Sequence, residues 1–201
     1  MRTKTNRRTQ ILRAAEKLMR SRGLTGVTTR QISKEVGCSE GALYVHFESR
    51  LELFLAMLEE NLPDMLVPLQ RLRDSVGRES PRRNLAAALQ GIFSFHRRVL
   101  PVTCGLFAEP ELLNAYRRSL ARQGKGPHLS MAALAGYIVA EQKLGRIASD
   151  TNPELTAYLL MSSSFFRAFM ELFSDRHSQP WDKFAKNLIE TVVPQTATSG
   201  T

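Results

Sequence analysis

The chain has 201 residues, of which 43% are apolar, so it can bury a core as one large domain or as a small domain joined to a medium one. No run of about 18 apolar residues is present, which argues against a membrane span. The net charge of +9 is concentrated at the start: residues 1–50 hold 11 Lys and Arg against 4 Asp and Glu, whereas residues 51–201 hold 17 against 15. A basic N-terminal quarter indicates a polyanionic partner, although a merely solvated basic surface would carry the same charge.

The N-terminus and the cysteines both indicate a cytoplasmic protein. The first ten residues include four basic side chains, and no apolar signal core follows them. Cys38 and Cys104 lie far apart and form neither a CxxC pair nor a Cys/His ligand pattern. Two free thiols are typical of a reducing compartment. We therefore expect a cytoplasmic location, with no bound metal and no cofactor.

Apolar residues recur at helical spacing along nearly the whole chain, and few segments alternate with period two. The first predicted helix begins near Thr9, and Gly23 is placed to end it. The pattern predicts an all-α fold of about nine helices.

The stretch TTRQISKEVGCSEGALYVHF, residues 28–47, fits two short helices that cross at a steep angle. Thr28 or Thr29 can cap the first helix, Gly37 supplies the turn because it adopts a positive φ easily, and Ser39 can cap the second. Ser33 is small enough to face the crossing. The apolar residues that can lock the pair are Ile32, Val36, Cys38 and Leu43. This is the pattern of a helix-turn-helix, whose second helix lies in the major groove of DNA.

The residues left on the outer face of the second helix suit DNA. Gly41 allows a close approach of the backbone, Ala42 can touch a thymine methyl, and Tyr44 and His46 can donate hydrogen bonds. Arg30 can reach a phosphate or a guanine, and Arg50 can pair with a phosphate. Simpler roles remain open for three of the candidates, since Ser39 can serve only as a cap, Tyr44 as a core aromatic and Arg50 as a solvated helix start.

Prolines and loops divide the rest of the chain. A fourth helix starts near Ser49, and Pro63 with Pro68 predicts a kink or break near residues 61–63. Pro101 is expected to stop the helix that starts near Arg82. The remaining helices are predicted, in chain order, near residues 104–107, 110–122, 131–144, 153–173 and 181–193.

Three stretches in this order, TQILRAAEKLMRSRG, VTTRQISKEVGCSEGALYVHF and ESRLELF, make residues 9–54 resemble the DNA-binding head of the TetR/AcrR family of bacterial transcriptional regulators. The resemblance implies an all-helical homodimer with a three-helix head that binds a palindromic operator. It implies a DNA-binding domain over residues 1–48 and a larger ligand-binding and dimerisation bundle over 49–194. Residues 195–201 are expected to be a mobile tail.

The resemblance also assigns DNA contacts to particular positions of this chain. They fall on Thr28, Arg30, Ser39, Gly41, Ala42, Tyr44, His46 and Arg50. The family often has Lys where Glu40 stands and Thr where Ala42 stands. Glu40 repels phosphate unless it accepts a hydrogen bond from a cytosine amino group, so we count it among the DNA-facing residues and expect an operator different from those of the relatives.

The middle of the chain is rich in aromatic residues with a few polar members, which fits either a plain core or a largely apolar ligand pocket. The resemblance favours the pocket. The residues predicted to line it are Phe93, His96, Cys104, Phe107, Met131, Tyr137, Phe165 and Phe169. His96 and Tyr137 are the candidates for orienting a ligand, which is expected to be a small, largely apolar molecule.

Residues 153–173 mix small and bulky side chains and, together with residues 181–193, resemble the two dimerisation helices of the family. Ala157, Ser162, Ser163, Ser164 and Ala168 would let another helix approach closely. The alternative is ordinary packing within one chain.

Taken together, these features predict a cytoplasmic repressor that binds double-stranded operator DNA as a homodimer and leaves it when a small-molecule effector binds. The sequence contains no GxSxG, Walker loop or HExxH motif, so we predict that the protein is not an enzyme. The alternatives are an enzyme and a structural DNA-binding protein without ligand response.

Overall fold

The computed structural model describes residues 2–60, 62–174 and 179–194, and over these residues it contains ten helices and no strand. The helices are α1 (Arg2–Arg22), α2 (Thr29–Val36), α3 (Glu40–Tyr44), α4 (Arg50–Glu60), α5 (Leu62–Asp74), α6 (Pro81–Leu106), α7 (Pro110–Arg122), α8 (Pro127–Lys143), α9 (Pro153–Phe173) and α10 (Trp181–Val192). The predicted all-α fold is confirmed. None of the helices in the described ranges combines the length and the apolar character needed to cross a bilayer.

The chain forms two compact units. The N-terminal unit comprises Met1–Leu62 and Arg98–Gly124, and the C-terminal unit comprises Pro63–Arg97 and Lys125–Thr201. Helix α6 therefore contributes its first part to one unit and its last part to the other. The functional domains predicted over 1–48 and 49–194 stay a prediction, and the predicted tail at 195–201 lies outside the described residues.

The head of the N-terminal unit follows the predicted capping pattern. Gly23 adopts φ 74° after the last turn of α1. Thr28 caps α2, since its side chain accepts from the Gln31 N–H while its own N–H donates to Gln31 Oε1 at 2.9 Å. Gly37 ends α2 with φ 70°, and Ser39 Oγ accepts from the Ala42 N–H at 3.2 Å at the start of α3. Local capping alone thus defines both ends of the turn between α2 and α3.

The core of the N-terminal unit joins the first four helices to the end of α6 and to α7. Its members include Ile11, Met19, Ile32, Leu43, Phe47, Leu53, Met57, Val102, Leu106 and Leu112. Gly105 permits a close approach of α6 to Leu24, because a Cβ at that position would lie 2.7 Å from the Leu24 Cβ. The helix-turn-helix therefore packs in one core with helices that are distant from it in sequence.

Two predictions about prolines were wrong. Pro101 does not stop α6, which continues to Leu106, so the short helix predicted at 104–107 is the last turn of α6. A proline inside a helix removes one hydrogen bond and clashes with the preceding turn, at about 3 kcal/mol. Continuing the helix places Val102 and Leu106 in the core, each only 3% exposed, which offsets that loss.

Pro68 likewise lies inside α5 rather than interrupting it. Its ring packs against α6 at Gly91, where an added Cβ would lie 2.3 Å from the Pro68 Cγ. The break predicted near residues 61–63 stays a prediction, because Asn61 lies outside the described residues.

A buried polar group anchors the C-terminal unit. Glu141 of α8 is 0% exposed, accepts from the Gly77 N–H at 3.1 Å and lies 3.2 Å from Arg146 Nε. One turn earlier, the Tyr137 hydroxyl accepts from Asn84 Nδ2 at 2.9 Å, and burial raises the pKa of Tyr137 well above its usual value. These bonds fix the loop after α5 and the start of α6 against α8.

Candidate nucleic-acid interface

Helix α3 separates its side chains cleanly between the core and the surface. Leu43 is 0% exposed and Phe47, just after the helix, is 1% exposed. Tyr44 and Val45 are 46% and 70% exposed. At Gly41 an added Cβ would have only Ser39 Oγ within reach, at 4.0 Å, so that position is open. Gly41, Tyr44 and Val45 form what we call the recognition face.

The other predicted DNA-facing residues surround this face. Thr28 and Ser39 are exposed and act as caps, so their side-chain oxygens are already engaged with backbone N–H groups. Arg30 is exposed on the first turn of α2. Ala42 and His46 are half-buried. The capping role weighed for Ser39 is therefore real.

Glu40 has an intramolecular partner that the sequence pattern did not reveal. The Thr29 hydroxyl donates a hydrogen bond to Glu40 Oε1, and this bond links the first turn of α2 to the first turn of α3. Thr29 is free for this role because Thr28 supplies the cap. The bond holds the carboxylate in place and leaves its second oxygen as an acceptor.

Arg50 at the start of α4 also has a partner within the chain. Its Nη2 lies 3.7 Å from Glu109 Oε1, and its guanidinium lies 4.8 Å from the centre of the Phe54 ring. The Arg50 side chain remains 45% exposed. A half-exposed ion pair of this kind contributes at most about 1 kcal/mol, so it orients the guanidinium more than it neutralises it.

Basic residues of α1 lie beside the helix-turn-helix. The Arg8 guanidinium lies 5.0 Å from the centre of the Phe47 ring, and Arg7 Nη1 donates to the Val36 carbonyl at 3.3 Å. Farther along, a hydrogen bond from Lys17 and its charge lower the pKa of the Glu35 carboxyl. Arg7 and Arg8 were absent from the predicted contacts, although the basic run at the N-terminus was the available signal.

The predicted pocket residues do not share one environment. Phe93 stacks on Trp181 with ring centres 3.8 Å apart. His96 lies with its Nδ1 3.2 Å from the Ser164 Oγ, and burial lowers its pKa from 6.5 to about 4, so the ring is neutral at pH 7. Phe165 meets His96 edge-on at 5.5 Å. These contacts form a packed aromatic cluster in the C-terminal unit.

The other members of the predicted set lie elsewhere. Cys104 is exposed and Phe107 is 75% exposed, both in the N-terminal unit, whereas Tyr137 belongs to the core of the C-terminal unit. Met131 is half-buried against that core, and Phe169 lies on the outer side of α9. A groove of about 430 Å³ in the C-terminal unit has a different lining, namely Leu66, Val67, Leu69, Gln70, Arg73, Leu129 and Ala133.

Helix α9 has a packed side and an apolar exposed side. The small residues Ala157, Ser164 and Ala168 are each 0% exposed and therefore pack within the chain, which is the simpler alternative considered for them. On the opposite side, bulky apolar side chains recur at three- and four-residue spacing. This apolar face of α9 comprises Leu155, Tyr158, Leu159, Phe165, Phe166, Phe169, Met170, Leu172 and Phe173, all more than a third exposed.

Comparison with known proteins agrees with this architecture. Residues 11–57 match the family model of the bacterial regulatory proteins, tetR family. The nucleoid occlusion factor SlmA of Shewanella baltica (strain OS155) is 29% identical over 170 residues, which cover 75% of this chain and 86% of that protein.

Solved structures show the same fold over nearly the whole length. A TetR-family transcriptional regulator from Mesorhizobium loti superimposes with a TM-score of 0.74 at 16% identity and covers 94% of this chain and 95% of its own. AibR, solved with isovaleryl coenzyme A and operator DNA, gives 0.65 at 15% identity and covers 94% and 100%. At these identities the likeness concerns the fold alone.

The head match supports a DNA-binding regulator and not an enzyme. The resemblance carried by residues 9–54 is thereby confirmed. Residues 11–57 of this chain therefore form a DNA-binding head of the type found in the bacterial regulatory proteins of the tetR family.

Proposed function

We propose that this regulator is a cytoplasmic repressor that binds a palindromic operator as a homodimer and leaves it when a small effector binds the C-terminal unit. The observation that carries the proposal is the recognition face of α3. Tyr44 and Val45 are exposed beside an open Gly41 while Leu43 and Phe47 anchor the helix from behind. An exposed tyrosine next to an open glycine suits a close approach to the major groove.

The contacts around that face have distinct roles. Tyr44 and His46 donate hydrogen bonds to phosphate or to base edges, and Ala42 contacts a thymine methyl. Arg30, Thr28 and Ser39 contact the backbone from the start of α2 and of α3. Glu40, held by Thr29, accepts from the amino group of a cytosine through its remaining oxygen.

Arg50 contacts a phosphate from the start of α4. Its position between Glu109 and Phe54 holds the guanidinium near the end of the helix-turn-helix without burying it. Because the ordering of the side chain is already achieved within the protein, less side-chain entropy is lost when a phosphate binds.

The homodimer forms through α9 and α10. An exposed apolar face as long as that of α9 is unusual for a monomer and marks an interaction surface. In a two-fold dimer the same face of each protomer meets its counterpart, so α9 and α10 from two chains would form a four-helix interface. Two heads held in this way can reach half-sites about one helical turn apart.

The effector acts through a difference in affinity between two states of the protein. A ligand that binds the C-terminal unit more tightly in the state unable to bind DNA lowers operator affinity, by at most the ratio of its affinities for the two states. A repressor is relieved by this shift.

Selection of bound sequences from a random DNA pool, followed by mobility-shift titration, tests the proposal. We expect a two-fold symmetric sequence and an affinity that falls steeply with salt, because phosphate contacts release counterions. Tyr44→Phe should weaken binding about fivefold by removing one hydrogen bond, whereas Tyr158→Phe on α9 should leave it unchanged. Recovery of no preferred sequence would contradict operator binding.

A DNA-binding protein without ligand response is the second candidate. It is favoured by the relatives of this chain that are named nucleoid occlusion factors, since the match covers 75% of the chain and extends beyond the head. Mapping the bound sites on the chromosome separates the two. A few sites at promoters, with transcription that rises when the gene is deleted, support the repressor, whereas many sites without a change in transcription support the second candidate.

A further inference from the structure

Helix α5 has one side that packs in the core and a second side that lines a groove. Leu69 and Leu72 point into the core of the C-terminal unit and are 5% and 2% exposed. Leu66 and Val67, one turn earlier, are 41% and 47% exposed and line the groove of about 430 Å³. Leu129 of α8, 38% exposed, lines it from the other helix.

The groove has the volume and the composition of a small-molecule site. Its walls are apolar, and its two polar side chains, Gln70 and Arg73, both come from α5. Ligand sites of this size combine an apolar lining with a few polar groups that fix orientation. From Leu66 to Arg73 the helix rises about 10 Å, so the apolar and cationic parts are separated along its length.

Arg73 can receive an anion. Its Nη2 donates to Gln70 Oε1 at 3.0 Å, while Gln70 Nε2 donates to Asp74 Oδ1 at 2.8 Å. Within the part of the chain that the structure describes, Arg73 forms no ion pair, and a guanidinium has five N–H donors. Gln70 therefore orients the guanidinium but leaves most of its donors available for a carboxylate.

We propose that this groove is the effector site and that its ligands are amphiphilic carboxylates with an apolar tail of about 10 Å. The tail lies against Leu66, Val67 and Leu129, and the carboxylate meets Arg73. This inference rests on the proposed effector response for its regulatory meaning, whereas the binding itself can be measured without DNA.

Two properties of the ligand follow. Each added methylene should tighten binding about fourfold while the tail still fits the groove, and further lengthening should add nothing. A neutral alcohol of the same length should bind more weakly than the acid, because only the acid pairs with Arg73.

Calorimetric titration of the full-length protein with hexanoate, octanoate, decanoate and octanol, at concentrations below self-association, tests the site. Arg73→Gln should weaken octanoate binding about tenfold and leave octanol binding unchanged. Arg71→Gln removes an exposed cation of the same helix that does not line the groove, and it should change octanoate binding less than twofold. Ala133→Phe fills the groove and should weaken both ligands.

The proposal is overturned if Arg73→Gln and Arg71→Gln affect octanoate equally, if octanol binds as tightly as octanoate, or if none of the acids binds. Melting curves of the variants identify any that fail to fold. If Ala133→Phe fails to fold, Arg73→Gln still tests the site, because Arg73 is exposed. Operator binding is measured on the same preparations. If another compound releases the operator equally from wild type and from Ala133→Phe, the groove is not the effector site but the proposed function stands. If no preparation binds a preferred DNA sequence, the proposed function fails independently of the groove.

Discussion

The recognition face of α3 and the apolar face of α9 both expose aromatic side chains, yet their surroundings differ. Tyr44 stands beside an open glycine, a half-buried histidine and a carboxylate held by a threonine. Phe166 stands in a row with Phe169 and Phe173, whose rings stack at 6.3 and 5.5 Å. The first surface offers hydrogen-bond donors and acceptors, and the second offers mainly apolar area. Where an exposed aromatic residue marks an interaction surface, its neighbours indicate whether the partner is DNA or another apolar helix.

The largest effect is expected from a charge on the α9 face. Phe166→Glu would bury a carboxylate in the dimer interface, so the protein should become monomeric at micromolar concentration, as measured by light scattering. Operator affinity should fall about 100-fold or more, because two linked heads bind far more tightly than one.

The matched control is Phe107→Glu, which changes a phenylalanine that is 75% exposed in the N-terminal unit. This variant should stay dimeric. Dissociation of Phe107→Glu, or a dimeric Phe166→Glu, would contradict the assignment of the interface to α9.

The packing of His96 against α9 should make the fold sensitive to acid. His96 contacts Ser164 and Phe165, and burial lowers its pKa from 6.5 to about 4. Below pH 6.5 the His96 side chain binds a proton in the unfolded chain but not in the folded chain. The contribution of His96 to the unfolding free energy is therefore fully present above pH 6.5 and falls as the pH drops toward 4. The full loss amounts to about 3 kcal/mol.

Denaturant unfolding between pH 7.5 and 4.5 measures this effect. His96→Gln should flatten that part of the profile, whereas His128→Gln, at an exposed position of α8, should leave it unchanged. If the His96→Gln profile runs parallel to that of the wild type, the buried imidazole does not control the acid response.

Two variants at the ion pair between Arg50 and Glu109 test whether Arg50 contacts DNA. Arg50→Ala should weaken operator binding about tenfold and lower the salt dependence by about one phosphate contact. Glu109→Gln removes the carboxylate 3.7 Å away and should leave binding equal or tighter. Mobility shifts at several salt concentrations measure both. Equal losses in the two variants would mean that Arg50 serves the fold and does not contact DNA.

Sequence reasoning predicted those structural features whose interacting residues lie close together in the chain. The turn at Gly37, the caps at Thr28 and Ser39 and the small Ser33 at 4% exposure follow from spacing within twenty residues, and the structure confirms them. Helical periodicity likewise predicted the all-α fold.

The contacts that sequence reasoning missed join distant segments. Arg50 and Glu109 lie far apart in sequence, and α6 runs through Pro101 because its last turns complete the core of the N-terminal unit. The groove brings residues 66–73 against residues 129–133. No local pattern contains such pairings, because they depend on how helices pack. The pocket predicted from aromatic composition stays a prediction, and the groove contains none of its residues.

The smallest expected effect concerns the base that Glu40 reads. Thr29→Val keeps the shape of the side chain but removes the hydroxyl that holds Glu40 Oε1, so unfolding free energy should fall by about 1 kcal/mol. The freed carboxylate should lose part of its preference for a C·G pair, by a few fold, with little change in nonspecific binding.

Glu40→Gln should move the preference toward adenine, since an amide pairs with the adenine N6 and N7. Sequencing of DNA selected by the wild type and by both variants measures these shifts. If all three select the same bases at every position, the Thr29–Glu40 bond joins α2 to α3 and has no part in sequence recognition.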